Sequence, residues 1–155
     1  MKGTRQRRKL GGVVKIDLGD GYHNYARILQ EPLFAFYEGA SRNDIPIDEI
    51  VKKPILFQVW VMNRSISTGR WRILGVIPLD GRLENAEARF FNQDLLDASR
   101  CSIVSTGSTE KECSCSECVG LEAAAVWAPE HVEDRLRDHY RGVPNKWVES
   151  LKLKL

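Results

Sequence analysis

The densest chemistry in the chain is a group of four cysteines, Cys101, Cys113, Cys115 and Cys118. Thiolates at such short spacing can converge on zinc, and Cys101 could complete a set of four. The pattern nevertheless falls short of a zinc ribbon, which needs two separated Cys-x-x-Cys knuckles. Only Cys115 and Cys118 have that spacing, and no flanking glycine turns the backbone around an ion. Free thiols in a surface loop, with no bound metal and no other cofactor, are the expectation. Four clustered cysteines are also too few to staple a chain of 155 residues, which fits a reducing, cytoplasmic compartment.

A second constellation is His131, Arg135 and His139, spaced to share one stripe of a helix. A hydrolase would use a histidine there as general base and Arg135 to clamp a phosphate. No strand carries a converging carboxylate pair for a metal, and Asp134 and Asp138 are ready salt-bridge partners, so an ordinary amphipathic helix surface accounts for the stripe better. Phosphate loops, nucleophile elbows and His-Glu-x-x-His runs do not occur in the sequence. Asp17-Leu-Gly-Asp-Gly21 has the superficial look of a calcium loop without its alternating oxygen ligands, and is expected to be a turn. The chain is therefore expected not to be an enzyme.

The remaining candidates are residues that could meet a partner. Val13 to Leu18 alternates, sending Val14, Ile16 and Leu18 inward and leaving Asp17 outside, with Asp20 and Tyr22 at the following turn. Acidic groups beside an aromatic suit a basic partner surface. A second candidate surface is the loop from Asn63 to Arg70 together with Trp71, because tryptophan and arginine are favoured where binding energy concentrates. Asp17, Asp20, Tyr22, Arg70 and Trp71 are the expected partner-binding residues.

These side chains need a framework. Gly19-Asp-Gly21 supplies the turn of a hairpin whose second strand runs from Tyr22 to Leu29, and Leu33 to Tyr37 reads as a third strand. Ile47, Ile50 and Val51 fall at helical spacing before Pro54. Ile55 to Met62 and Trp71 to Pro78 read as a longer-looped hairpin. From Asp80 to Ser99 no period is sustained, Cys101 to Ser105 returns as a strand, and Thr106 to Cys118 has loop composition. Leu121 to Trp127 fits either a buried strand or a helical turn. The clearest helix runs from Pro129 to Tyr140, with Val132, Leu136 and Tyr140 on one stripe and Gly142 beyond its end. Asn145 to Leu151 forms another, with Trp147, Val148 and Leu151 inward. Strands in hairpins first and helices gathered towards the C-terminus imply an α+β fold: a mainly antiparallel sheet, open or barrel-like, with helices to one side.

Composition agrees with a single core. The chain is 43% hydrophobic and 28% charged, and its longest apolar stretches are far shorter than the ~20 residues a membrane-spanning helix needs. The first nine residues hold five of the 23 Lys and Arg and no acid, leaving 18 basic against 21 acidic residues in the body. The organisation expected is a basic, flexible tail over residues 1–11 and one α+β domain over residues 12–155. The tail has no aromatic residue to stack on a base, so nucleic acid is not the expected partner, although a nucleic-acid-binding arm is the main alternative.

Several blocks of the chain resemble the bacterial immunity protein 26 family of polymorphic toxin systems. They are Lys15-Ile-Asp-Leu-Gly-Asp-Gly-Tyr22 leading to Tyr25-Ala-Arg-Ile-Leu29, Phe34-Ala-Phe-Tyr37, Gly69-Arg-Trp-Arg-Ile-Leu-Gly75, Arg89-Phe-Phe-Asn-Gln-Asp94, and Gly120-Leu-Glu122 with Val126 to Tyr140. The resemblance implies a protein made beside a toxin gene that protects the producing cell by binding the toxin, often a nuclease. It carries no catalytic residues with it. Removal of residues 1–9 is expected to leave folding and protection intact.

Overall fold

The computed structural model describes residues 4–84, 88–105 and 110–155. The opening alternation becomes β1 (Gly12–Gly19) and β2 (Tyr22–Ile28), paired antiparallel with Val14 opposite Ala26 and Ile16 opposite Asn24. Between them Gly19, Asp20 and Gly21 all take positive φ, at 90°, 53° and 79°. Glycine adopts this region freely and aspartate tolerates it, so the composition of the turn follows from its backbone. β3 (Leu33–Tyr37) pairs with β2, and all five of its residues are buried. Its lack of polar alternation follows from being covered on both faces.

After the short helix α1 (Ile47–Ile50), β4 (Ile55–Val61) pairs antiparallel with β3. The expected hairpin between β4 and the next strand does not form. The connection contains a helical turn, α2 (Arg64–Ser67), and the chain crosses the sheet so that β5 (Arg72–Val76) pairs with β1 at the far edge. Ile66 and Trp71, both fully buried, are the reason, because they anchor the crossing segment in the core between the sheet and the last long helix.

A smaller sheet follows, made of β6 (Arg89–Gln93), β7 (Cys101–Ser105), β8 (Lys111–Cys113) and the two-residue β9 (Glu122–Ala123). Of the stretch 106–118 expected as loop, residues 106–109 lie outside the described residues, the strand β8 occupies part, and Cys115–Cys118 form a 3-10 turn. The ambiguous stretch near Leu121 resolves into β9 and β10 (Val126–Trp127), both strands too short for any period to register. β10 joins β4 in parallel, giving a six-stranded order β10-β4-β3-β2-β1-β5 beside the four-stranded order β8-β7-β6-β9. Both orders are open, and no barrel closes among the described residues.

The chain ends in α3 (Pro129–Arg141) and α4 (Lys146–Ser150). Pro129 opens α3 where a missing N–H costs nothing, and Gly142, in the left-handed region, ends it. Val132 and Leu136 of α3, with Trp71 and Trp127, cover the sheet face built by Ile16, Phe34, Phe36 and Val59. Each fully buried aliphatic side chain there contributes roughly 1.5–3 kcal/mol. The opposite face is covered by Ile50 of α1 over Val13, Tyr25 and Tyr37, and by Leu83 and Phe90 over Leu29, Leu33 and Ala35. The architecture is thus α+β, with helices mainly C-terminal, as the pattern implied.

Residues 4–11, expected to be a solvated tail, lie against this domain. The Gln6 amide donates to the carbonyls of Ile66 (3.0 Å) and Trp71 (2.7 Å) and accepts from the N–H of Ile73 (2.8 Å). Arg8 donates to the carbonyls of Leu29 (2.8 Å) and Leu33 (2.9 Å) and stands over the Phe34 ring. Residues 4–9 have no apolar side chain, as the sequence implied, but docking proceeds through polar groups. The Gln6 amide thus pairs the Trp71 carbonyl and the Ile73 N–H at the start of the β5 edge, as a neighbouring strand would.

Candidate functional site

The hairpin tip, the end of β3 and the last turn of α3 enclose a cleft of about 510 Å³. Its walls include Asp20 and Tyr22 from the tip, Glu38 and Gly39 after β3, and Arg137, Tyr140 and Arg141 from α3. Polar contacts between the segments hold the walls together. Arg137 donates to the Leu18 carbonyl (3.1 Å) and to Asp134 (2.8 Å). The Tyr140 hydroxyl accepts from the Gly39 N–H (3.0 Å) and donates to the side chain of Asn24, a fully buried residue whose amide reaches the Tyr37 carbonyl (3.1 Å). Burial pushes the Tyr140 phenol up to about 12, which keeps it a neutral donor under ordinary conditions. His139 meets Glu38 at 3.2 Å on the rim.

Two charges in the cleft are not used in this way. Asp20 and Arg141 are exposed and have no ion-pair partner among the described residues. Tyr22 is 41% exposed, with the Arg42 guanidinium 4.5 Å from its ring centre. Asp17 is exposed on the neighbouring stretch of β1, where its carboxylate accepts from the Gly19 N–H (2.9 Å) and shapes the turn. Three of the five expected partner-binding residues therefore gather at the hairpin tip.

Arg70 and Trp71 do not join them. Trp71 is fully buried, which corrects its reading as an exposed anchor. Its indole N–H donates to Glu133 (2.9 Å), and Arg70 approaches the same carboxylate with two N–H groups (2.7 and 2.8 Å). Glu133 is itself buried, and these three donors make its burial tolerable. Next to them Arg64 and Glu130 form a two-pronged pair (2.8 and 2.5 Å), which raises the Arg64 pKa and lowers that of Glu130. The Asn63 to Arg70 segment is a clamp onto α3.

The helical stripe is divided among three separate tasks. His131 stacks on Trp147 at 3.5 Å between ring centres. Arg135 forms a two-pronged pair with Glu122 (2.9 and 2.8 Å) while lying 3.7 Å over the Phe57 ring, so it ties β9 to α3. His139 faces Glu38. His131, Arg135 and His139 are thus each engaged with a different neighbour rather than with one another.

The cysteines do not stay free as expected. Cys101 and Cys115 are joined in a disulfide, and Cys113 and Cys118 remain thiols with their sulfurs 3.6 Å apart. Lost solvation and the Cys118 sulfur push the Cys113 thiol up to about 11, so it is a poor nucleophile. In this oxidised arrangement no group of three or more His, Cys, Asp or Glu that could hold a metal ion occurs among the described residues. No helix is long and apolar enough to cross a membrane among them.

Glu38, Arg137 and Arg141 went unrecognised in the sequence because a cleft wall assembled from three distant segments leaves no local period. Tyr140 was legible only as the last member of an apolar stripe.

The described site is thus a mixed-charge cleft walled by the hairpin tip, the end of β3 and α3. Over residues 9–102 the chain matches Immunity protein 26, and it belongs to that family. It is accordingly an immunity protein of toxin systems, with a toxin as its partner in general terms. The match includes the hairpin, β3 and the α2 crossing, and ends before α3, so the helical wall of the cleft lies outside it. Neither the curated proteins nor the solved structures yielded a match.

Proposed function

We propose that this protein binds its cognate toxin, a nuclease, through the hairpin-tip cleft and neutralises it in the cytoplasm of the producing cell, with no catalysis of its own. Family membership supports the role, and one observation supports the place: Asp20 and Arg141 are exposed without an ion-pair partner among the described residues and Tyr22 is half-exposed beside Arg42, whereas Arg70, Trp71, Arg135 and Glu133 are spent on internal pairs. Tyr22 would supply buried contact area and Asp20 would meet a basic group of a nucleic-acid-binding surface. Asp17, beyond the rim, would act mainly on the rate of encounter.

The basic arm remains the basis of the second reading, a nucleic-acid-binding module. Its Arg8 is directed into the domain, where burial lowers its pKa, which leaves Arg5, Arg7 and Lys9 as the exposed charges of the described arm. Affinity for the toxin measured with separate variants decides between surfaces. Tyr22→Ala and Asp20→Lys should each weaken binding by about tenfold or more with unchanged melting, and Arg70→Ala should not weaken it. Equal affinity for all three variants and the parent chain would move the interface away from the cleft.

A further inference from the structure

The cysteine group is a separate matter from toxin binding, since three of its four members lie beyond the family-matched residues. What was missing from the sequence was a second pair of thiols to complement Cys115 and Cys118. The strand pairing provides it. Cys101 on β7 stands directly opposite Cys113 on β8, and such partners have their side chains on one face with Cβ atoms about 5 Å apart. One residue after Cys113 the chain enters the 3-10 turn that begins at Cys115 and ends at Cys118. That turn folds back over the strand pair, bonding Cys115 to Cys101 and bringing Cys118 to 3.6 Å from Cys113. All four cysteines belong to one packed cluster, Cys101 and Cys118 buried with Phe91 and Ile103 and Cys113 and Cys115 packed against them with Leu121.

We propose that these four cysteines form a tetrathiolate zinc site, and that the Cys101–Cys115 disulfide is the metal-free, oxidised form of the same cage. In a tetrahedral site with Zn–S bonds near 2.3 Å, neighbouring sulfurs stand about 3.8 Å apart. Cys113 and Cys118 already hold that edge to within a few tenths of an ångström. The other edge opens when a dithiol reductant passes two electrons and two protons to the disulfide, giving two thiols and becoming a disulfide itself. Zinc(II) then displaces the four thiol protons and leaves a site of net charge −2. The small sheet has reason to need such a cross-link. Its own cluster of buried residues is Phe91, Cys101, Ile103 and Cys118, little apolar surface to hold β8 and the turn in place.

Cobalt(II) titration of the full chain tests this without any substitution. The protein is reduced with a dithiol, desalted without air and titrated. The expected result is visible absorption of tetrahedral cobalt with a near-ultraviolet thiolate charge-transfer band, saturating at about one ion per chain and abolished by zinc. Four thiols should react with a thiol reagent in the reduced apoprotein and be protected after zinc is added. Cys113→Ser and Cys118→Ser should each lower cobalt affinity at least tenfold, with the circular-dichroism spectrum of the large sheet retained. A reduced chain that stays folded, shows only the weak spectrum of hydrated cobalt, and reacts equally with and without zinc would overturn the proposal.

Discussion

Replacing Gln6 with alanine separates a docked N-terminal segment from a passive tail. Gln6 makes three side-chain hydrogen bonds, to the carbonyls of Ile66 and Trp71 and from the N–H of Ile73. At about 1 kcal/mol net for each, the sum is about 3 kcal/mol. Gln6 is only partly buried, so water recovers some of this, and about 2 kcal/mol is the expected loss. For a domain of this length each kcal/mol moves the melting temperature by about 2–4 °C, hence a drop of about 4–8 °C. Urea unfolding should give the same loss at an unchanged slope. Arg5→Ala and Arg7→Ala, at the exposed positions immediately before and after Gln6, should cost less than about 0.5 kcal/mol. A Gln6→Ala protein as stable as the parent would refute the reasoning and restore the solvated tail.

Three further outcomes follow from other parts of the structure. Glu133→Gln puts an amide N–H₂ where a carboxylate oxygen receives donors from Arg70 and Trp71, and should cost about 2–4 kcal/mol in urea unfolding; a loss below about 1 kcal/mol would show that the buried pair is dispensable. The Tyr140 phenol, held near 12 in the folded chain against an ordinary value of 10, favours the folded state fully below pH 10. Above that the unfolded chain loses the proton first, so stability should fall between pH 10 and 12 more steeply in the parent than in Tyr140→Phe, and parallel curves would contradict the assigned environment. Reduction should raise the thiols counted in denaturant from two to four in the metal-free chain, as a thiol-reagent count reports; four thiols before reduction would remove the Cys101–Cys115 bond.

How much of this could be read in the sequence depended on how local the cause was. The first hairpin, β3 and α3 were legible because alternation, glycine turns and the Pro129 and Gly142 boundaries act within a few residues. The destination of β5 was not, because the chain's path across the sheet is set by Ile66 and Trp71 finding a core made by distant strands, and by Arg64 and Arg70 finding Glu130 and Glu133. For the same reason Trp71 looked like a binding anchor: a buried tryptophan whose N–H is satisfied by an acid more than sixty residues away carries no local mark. Asp20 and Tyr22 were correctly placed at the tip, since strand alternation fixes which side chains a hairpin leaves outside. Their companions Glu38, Arg137 and Arg141 come from segments brought there by the fold.

Neutralisation of a nuclease toxin by binding, the proposed function, is tested by titrating the toxin's activity with the purified immunity protein. Inhibition should rise linearly and be complete near a stoichiometric ratio, with no cleavage of nucleic acid by the immunity protein alone. Undiminished toxin activity at a large excess of the folded protein, or intrinsic cleavage lost on His131→Ala or His139→Ala, would contradict it.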